Sequence, residues 1–272
     1  MKKANHILKL SSLIAAATIG ATISTQAAVI TWGGGGGDNL WSTAANWGGT
    51  GPVSGADSVV INGAFTVNYD VVAAQNFLDL QVLGGATLNM NTGAFTLAHA
   101  GVTTQVGKVQ GVGSVLNFVG GTHDFGNRLI VDNGGGGGTI RVTGNDATIA
   151  MGQTTRMLDA TFDFIFDADG VSTLAFESYI QGGTKPGLVN VDGSAYTGGS
   201  GEFTLLTANG LTAEITNTTV SGFSALDYTT VLTQDTVANR VYLTVTAVPE
   251  PETFALLGGL LALGYVMVHR RR

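Results

Sequence analysis

Short runs of β-branched and aromatic residues, separated by Gly, Asn or Asp, recur throughout this chain. They are the sequence feature that most restricts which fold the chain can adopt. Typical runs are "DSVVINGAFTVNY", "ATLNMNTGAFTLA" and "RVYLTVTAV". Such runs favour β-strands, and the residues between them are typical of turns. Lys and Glu are scarce there, so exposed helices supported by i,i+4 ion pairs are difficult to place. The sequence therefore predicts an all-β fold.

A loose repeat distinguishes among all-β architectures. Gly, a small or hydroxyl residue, a variable residue and Leu occur at residues 85–88 and again at 113–116; a related start follows at Gly138, and residues 144–149 are similar. The first two intervals, 28 and 25 residues, are close to one coil of a solenoid. We therefore predict a right-handed parallel β-helix, in which inward Leu, Val and Ile stack from coil to coil. A β-sandwich with uneven loops stays open as the alternative.

The N-terminus is typical of an export signal. Three lysines precede an apolar stretch over residues 10–23, and small residues follow at Thr25 and Ala27. Those two positions suit a signal peptidase that would leave Ala28 as the mature N-terminus. We therefore predict that residues 1–27 are a signal peptide, which makes the Sec translocon and signal peptidase partners of the chain.

The passenger between the termini is predicted to have two parts. Residues 28–170 are a β-helix-like region with a Trp-rich N-terminal cap, and residues 171–247 are a β-rich C-terminal subdomain that covers the open end. Residues 28–248 hold 6 of the 12 basic and 17 of the 19 acidic residues, a formal net charge of −11. Because that charge repels phosphates, we predict no nucleic-acid partner. The chain has no cysteine, so its stability comes from packing and hydrogen bonds.

Residues 248–272 combine an extended motif, an apolar stretch and a basic end. The motif consists of Val248, Pro249, Glu250 and Pro251, and the uncharged apolar stretch covers residues 254–268. The basic end consists of Arg270, Arg271 and Arg272. We predict one C-terminal transmembrane helix, with the arginines stopping transfer on the cytoplasmic side. Fifteen helical residues cover about 22 Å, less than a hydrocarbon core of about 30 Å. The helix therefore suits temporary anchoring.

The order of these three parts resembles a PEP-CTERM sorting signal. That resemblance implies recognition and processing by an exosortase-type membrane protease in a Gram-negative-type envelope. It further implies an intermediate held in the inner membrane, then release to the cell surface or extracellular matrix, in association with exopolysaccharide and biofilm. Two interpretations of the passenger remain: a non-enzymatic structural protein, and a glycan-binding or weakly polysaccharide-active β-helix.

The start of the passenger resembles the opening of autotransporter-like β-helical surface proteins. The resemblance rests on Trp32, Trp41, Asn46, Trp47, Asp57 and Ile61. The three tryptophans predict a cap over the core of the first coil, since large rings cover exposed apolar side chains. The alternative is that the same three rings contact a glycan.

Other candidate sites are weak in this sequence. Asp167 and Asp169 begin a stretch similar to a calcium loop, but Glu177 is out of register for such a loop, and an Asx turn fits better. His99 and His123 are isolated from nucleophile and metal-site motifs. The five-glycine runs at residues 33–37 and 134–138 lack the lysine and helix of a phosphate loop and predict flexible loops or wide turns. We expect no cofactor and no enzymatic activity.

Overall fold

The structure is a computed structural model that describes residues 28–55, 57–97, 107–126, 129–131, 137–152, 155–157, 160–177, 179–181, 188–209, 211, 217–223, 228–249 and 251–270. Its first strands are β1 (Val29–Thr31), β2 (Ser58–Asn62), β3 (Thr66–Tyr69), β4 (Gln75–Phe77), β5 (Asp79–Leu83), β6 (Thr87–Met90), β7 (Ala94–Leu97), β8 (Gly107–Gln110), β9 (Ser114–Phe125) and β10 (Leu129–Val131). The later strands are β11 (Gly138–Met151), β12 (Thr155–Met157), β13 (Thr161–Ile165), β14 (Leu174–Phe176), β15 (Tyr179–Gln181), β16 (Leu188–Asp192), β17 (Gly201–Ala208), β18 (Asn217–Ser221), β19 (Tyr228–Asp235) and β20 (Arg240–Ala247). One α-helix, α1 (Pro251–His269), follows them.

The strands stack in parallel as a β-solenoid of about 6 turns. Each coil contributes to three faces. The first face is the sheet β1-β2-β5-β8-β10-β12-β15. The second face contains β3, β6, the first halves of β9 and β11, β13, β16 and β18, and the third contains β4, β7, the second halves of β9 and β11, β14 and β17. Because these pairings are parallel, the solenoid prediction is confirmed and the β-sandwich alternative, an antiparallel architecture, is wrong.

The sequence repeat corresponds to the coils of the second face. Leu88 stands opposite Leu116, and Leu116 stands opposite Ile140, so the two coils are 28 and 24 residues long. The fourth match, at residues 144–149, is not a coil of its own. It follows Ile140 in the same strand, and its Ile149 pairs with His123 on the third face. The corner within β11, between the second and third faces, has residues similar to those that begin a new coil, which explains this false match.

The corner between the second and third faces requires glycine. Gly121 has φ of +88°, a left-handed conformation that glycine adopts without steric cost. A Cβ atom added to Gly121 would lie 2.4 Å from the carbonyl oxygen of Gly93 in the preceding coil. That oxygen already accepts a hydrogen bond from Thr122 N at 2.8 Å. Coils therefore approach each other at this corner too closely for any side chain.

The core consists of columns of inward side chains, one from each coil. Alternation along most strands places apolar residues inside and polar residues outside. On the second face one inward column is fully buried and comprises Val67, Leu88, Leu116, Ile140, Phe162 and Val189. Each member packs on the members above and below it, so the coils hold one another in register.

Three tryptophans close the N-terminal end of this core. Trp32, Trp41 and Trp47 are 2, 3 and 5% exposed. The rings of Trp32 and Trp41 each meet the ring of Trp47 edge-on, with centroids 4.8 Å apart. Trp41 also contacts Tyr69 and Phe77, which belong to the first full coil. The rings therefore act as the predicted cap, covering side chains that have no preceding coil.

A fully buried asparagine holds the cap together. Asn46 accepts a hydrogen bond from Gly36 N at 2.7 Å and donates to Asp38 Oδ1 at 2.7 Å and to Leu40 O at 3.0 Å. Its own carbonyl oxygen accepts from Gly33 N. The glycine run at residues 33–37 is thus a hydrogen-bonded turn, which agrees with the wide turn rather than the flexible loop of the prediction, whereas residues 134–136 lie outside the described residues.

The C-terminal end is closed by a second aromatic cluster and by antiparallel strands. Phe166 meets Phe203 and Phe223 with centroids 5.0 and 5.2 Å apart, and Tyr196 packs beside all three. β20 pairs antiparallel with β17 and β19. Parallel stacking runs through the predicted boundary at residues 170 and 171, since β14, β15, β16 and β18 continue the three faces.

We predict that Asn46→Ala lowers the free energy of unfolding by about 3 kcal/mol, because roughly 1 kcal/mol is lost for each buried side-chain hydrogen bond. Urea unfolding measured by tryptophan fluorescence reports on this cap directly. Asn91→Ala, at an exposed asparagine, is the matched control and should change stability by less than about 0.5 kcal/mol. Equal effects of the two substitutions would contradict the role given to Asn46.

Candidate functional site

One outward column of the second face is polar along its whole length. Its members stand in register as Asn68, Asn89, Asn117, Arg141, Asp163, Asn190 and Thr219. Asn89 Nδ2 donates to Asn68 Oδ1 at 2.9 Å, and Asn117 Nδ2 donates to Asn89 Oδ1 at 3.0 Å. With about 4.8 Å between strands, the column extends about 29 Å. We call it the polar ladder.

An ion pair occupies the middle of the polar ladder. Arg141 Nη2 lies 2.9 Å from Asp163 Oδ2, and Asn190 Nδ2 donates to Asp163 Oδ1 at 2.9 Å. The two charged side chains are 33 and 17% exposed, so water screens the pair and its stabilisation is at most about 1 kcal/mol. Both oxygens of Asp163 are thereby engaged, which leaves this carboxylate a structural partner within the ladder.

An open groove of about 330 Å³ lies beside the ladder on the last coils of the second face. Its floor includes the outward side of Ile165, and its polar lining alternates carboxylate, amide and hydroxyl groups. These polar residues are Asp163, Asn190, Asp192, Thr219 and Ser221. The groove therefore offers hydrogen-bond donors and acceptors around a small apolar patch.

A second groove, of about 370 Å³, lies on the third face. Asp124 and Glu177 stand at its sides, and Ala150 and Ala175 line it between them. Small side chains on two consecutive coils leave this depression open to solvent. The sequence did not indicate either groove, because each is lined by residues of three neighbouring strands whose positions in the chain lie far apart.

The residues predicted to be poor candidates for catalysis are structural where they are described. His123 is buried, its Nε2 donates to Gly120 O at 2.7 Å, and its ring packs on Phe118. Burial lowers the pKa of His123 below the usual value of an imidazole, against a smaller opposing effect of the Gly120 bond. His99 lies outside the described residues. Within the described part of the chain, no three His, Asp or Glu side chains are grouped to hold a metal ion.

The stretch similar to a calcium loop is an Asx turn. Asp167 Oδ1 accepts from the backbone N–H groups of Asp169 and Gly170, both at 2.9 Å. Asp167 Oδ2 accepts from Asn145 N at 3.1 Å. Both oxygens of Asp167 are therefore used to connect this turn to the preceding coil.

The tryptophans offer no surface for a glycan. A sugar stacks on an exposed ring face, whereas Trp32, Trp41 and Trp47 are buried against one another and against the first coil. The burial of these three rings therefore favours their predicted role as a cap over the alternative of glycan contact.

The predicted sorting segment begins directly after Ala247, the last residue of β20. The last hydrogen bond of β20 to the body joins Ala247 N to Ser200 Oγ at 2.8 Å. Val248 and Pro249 follow in exposed, irregular backbone, and α1 begins at Pro251. Every α1 side chain described, from residue 255 onward, is exposed. Arg270 is exposed as well, whereas Glu250, Arg271 and Arg272 lie outside the described residues.

Sequence analysis predicted a transmembrane helix in this segment. Among the helices of the described chain, none is both long and apolar enough to cross a membrane. At the other terminus, Ala27 and the remainder of the predicted signal peptide lie outside the described residues. Ala28 is the first residue that the structure describes, and its carbonyl oxygen accepts a hydrogen bond from Ser58 N at 2.9 Å.

Comparison with protein-family models, with curated proteins and with solved structures finds no match to this chain.

The buried histidine predicts a dependence of stability on pH. The folded-state pKa of His123 is lowered, so below about pH 6.5 the unfolded chain binds the proton more readily and stability falls as the pH falls. The slope from this one group is at most about 1.4 kcal/mol per pH unit. His123→Leu should flatten the plot of unfolding free energy against pH between 6.5 and 5, whereas His269→Leu, at an exposed histidine, should not. Parallel plots for wild type and His123→Leu would refute the assignment.

Proposed function

We propose that this chain is an exported structural protein of the cell surface or extracellular matrix, processed at its C-terminus by an exosortase-type membrane protease. The observation that carries the proposal is the exposed segment after Ala247. A protease needs an extended, accessible backbone, and Pro249 and Pro251 keep the chain from continuing β20 as a paired strand. Cleavage there would remove α1 without breaking a hydrogen bond of the body.

The N-terminal boundary supports export in the same way. Removal of residues 1–27 would leave Ala28 as the N-terminus, and its carbonyl oxygen accepts a hydrogen bond from Ser58 N. The predicted mature chain therefore begins at a residue that is bonded to β2. A right-handed coil is part of this proposal, since crossover connections between parallel strands are almost always right-handed.

Three carboxylates of the body accept hydrogen bonds from other residues of the body, which supports a structural role. Asp163 belongs to the polar ladder, Asp167 to an Asx turn and Asp38 to the N-terminal cap. Hydrogen bonds from Thr43, Leu40 and Asn46 lower the pKa of Asp38, as expected for a carboxylate that fixes a turn. We propose that the acidic, closely packed body acts as a scaffold among extracellular polymers.

The processing proposal predicts the mass of the mature chain. Protein isolated from cells that contain the protease should lack the helix and the arginine end, whereas cells without the protease should retain both. Pro249→Ala combined with Pro251→Ala should reduce cleavage at least tenfold by intact-mass analysis, because the prolines no longer fix the extended segment. Val237→Ala, in an exposed turn, is the control. Retention of the C-terminal arginines in both strains would refute the proposal.

A second candidate function is glycan binding in the groove of the second face. The observation in its favour is the alternation of hydroxyl, amide and carboxylate groups around Ile165, which suits the hydroxyl groups and apolar ring faces of a sugar. In this alternative the ligand contacts Asn190 and Asp192 rather than the buried tryptophans. The chain would then connect exopolysaccharide to the cell surface.

This alternative predicts that Asn190→Ala weakens binding at least tenfold for any oligosaccharide selected on a glycan array and then measured by calorimetry. Loss of a hydrogen bond to a buried ligand hydroxyl accounts for a change of that size. Asn91→Ala, outside the groove, should bind as wild type does. An array without a bound glycan, or unchanged affinity in Asn190→Ala, would exclude the groove as the site.

A further inference from the structure

The outermost strands of the solenoid differ in how much unpaired backbone they present. Within the described chain, the faces end at strands of three residues (β1, β4, β15), four residues (β3), five residues (β18) and eight residues (β19). Short edge strands offer few free N–H and C=O groups and thus resist pairing with other chains. β19 alone among these outermost strands is long enough to pair strongly.

β19 also lacks the features by which proteins block their edges. Its sequence, "YTTVLTQD", contains no proline and no basic residue. Its pairing with β20 is continuous from Tyr228 to Asp235, whereas β17 and β20 are offset by a bulge between Thr204 and Leu206. A regular, unprotected edge strand is a template for strand addition.

The outward side chains of β19 favour a β partner. Tyr228 and Leu232 pack on the core, so Thr229, Val231 and Thr233 point away from it. Val231 is 61% exposed in the middle of this row. Threonine and valine have high β-propensity and pair well across strands. A partner strand of similar composition would cover Val231 on that side.

A second copy of β19 has this similar composition, and the charge of the strand favours antiparallel pairing of the two copies. Asp235 is its one charged residue and lies at its end. Parallel pairing would place two Asp235 carboxylates on neighbouring strands about 4.8 Å apart. Antiparallel pairing centred on Val231 separates them by about 27 Å at 3.4 Å per residue, well beyond the screening length of about 8 Å in physiological salt. The overall negative charge of the passenger therefore opposes this arrangement little at the edge itself.

We propose that β19 pairs antiparallel with β19 of a second copy and joins two C-terminal sheets into one continuous sheet. The outward faces of both sheets lie on the same side only in registers that place an outward residue of one strand opposite an outward residue of the other. The register centred on Val231 places this valine opposite its own copy and Thr229 opposite Thr233 of the partner. This proposal rests on the edge geometry and not on C-terminal processing.

The absence of cysteine allows a direct test with the full chain in detergent micelles. In Val231→Cys the two thiols face each other across a strand pair, where Cα atoms about 4.5–5.5 Å apart permit a disulfide. Val237→Cys is the matched control, because Val237 is 92% exposed but lies in the turn after β19. Under mild oxidation we expect Val231→Cys to form a covalent dimer at least tenfold faster than Val237→Cys.

A second pair of substitutions separates strand pairing from association through the exposed helix. Thr229→Lys together with Thr233→Lys, added to Val231→Cys, sets like charges opposite each other across the proposed pair. We expect cross-linking to fall about tenfold while the β-type circular dichroism spectrum stays unchanged. Equal rates for the two cysteine variants, or a rate unaffected by the lysines, would overturn the proposal. Neither result would bear on cleavage at the sorting motif.

Discussion

The need to close both ends of a stack of coils governs this structure. Inner coils bury their apolar side chains against two neighbours, but the first and last coils have one each, and no disulfide is available to compensate. Trp32, Trp41 and Trp47 close one end, and the cluster around Phe166 and Tyr196 closes the other. The three tryptophans and the cluster around Phe166 are therefore committed to the ends, so they are not free to contact a ligand.

Polar chemistry is correspondingly restricted to the outward columns and corners. Two buried polar groups, the side chain of Asn46 and the Nε2 atom of His123, are hydrogen-bonded within the body. The outward amides of Asn68, Asn89 and Asn117 bond along the stack and add directional contacts that apolar packing lacks. Because ladder and turns engage carboxylates as well, the exposed tail, the grooves and the edge of β19 are the candidate sites among the residues that the structure describes.

The sequence was sufficient to predict what depends on neighbours in the chain. Strand identity, the Asx turn at Asp167 and the coil spacing from Leu88 to Leu116 follow from local patterns. The buried hub at Asn46 and the grooves could not be predicted in this way, because they depend on contacts between coils. Residues 144–149 resemble the repeat but do not begin a coil, because the corner within β11 and the start of a new coil have similar residues.

The C-terminal hairpin connects the two proposals physically. β20 lies between β17 and β19, and its last pair joins Ala247 to Tyr228. A cut after Val248 would therefore remove α1 and leave the entire length of β19 paired on its inner side. If the chain is processed as proposed, a protease bound at the tail would stand close to the Tyr228 end of β19 and would hinder a second copy there. The two proposals together therefore predict that removal of the tail favours assembly through β19.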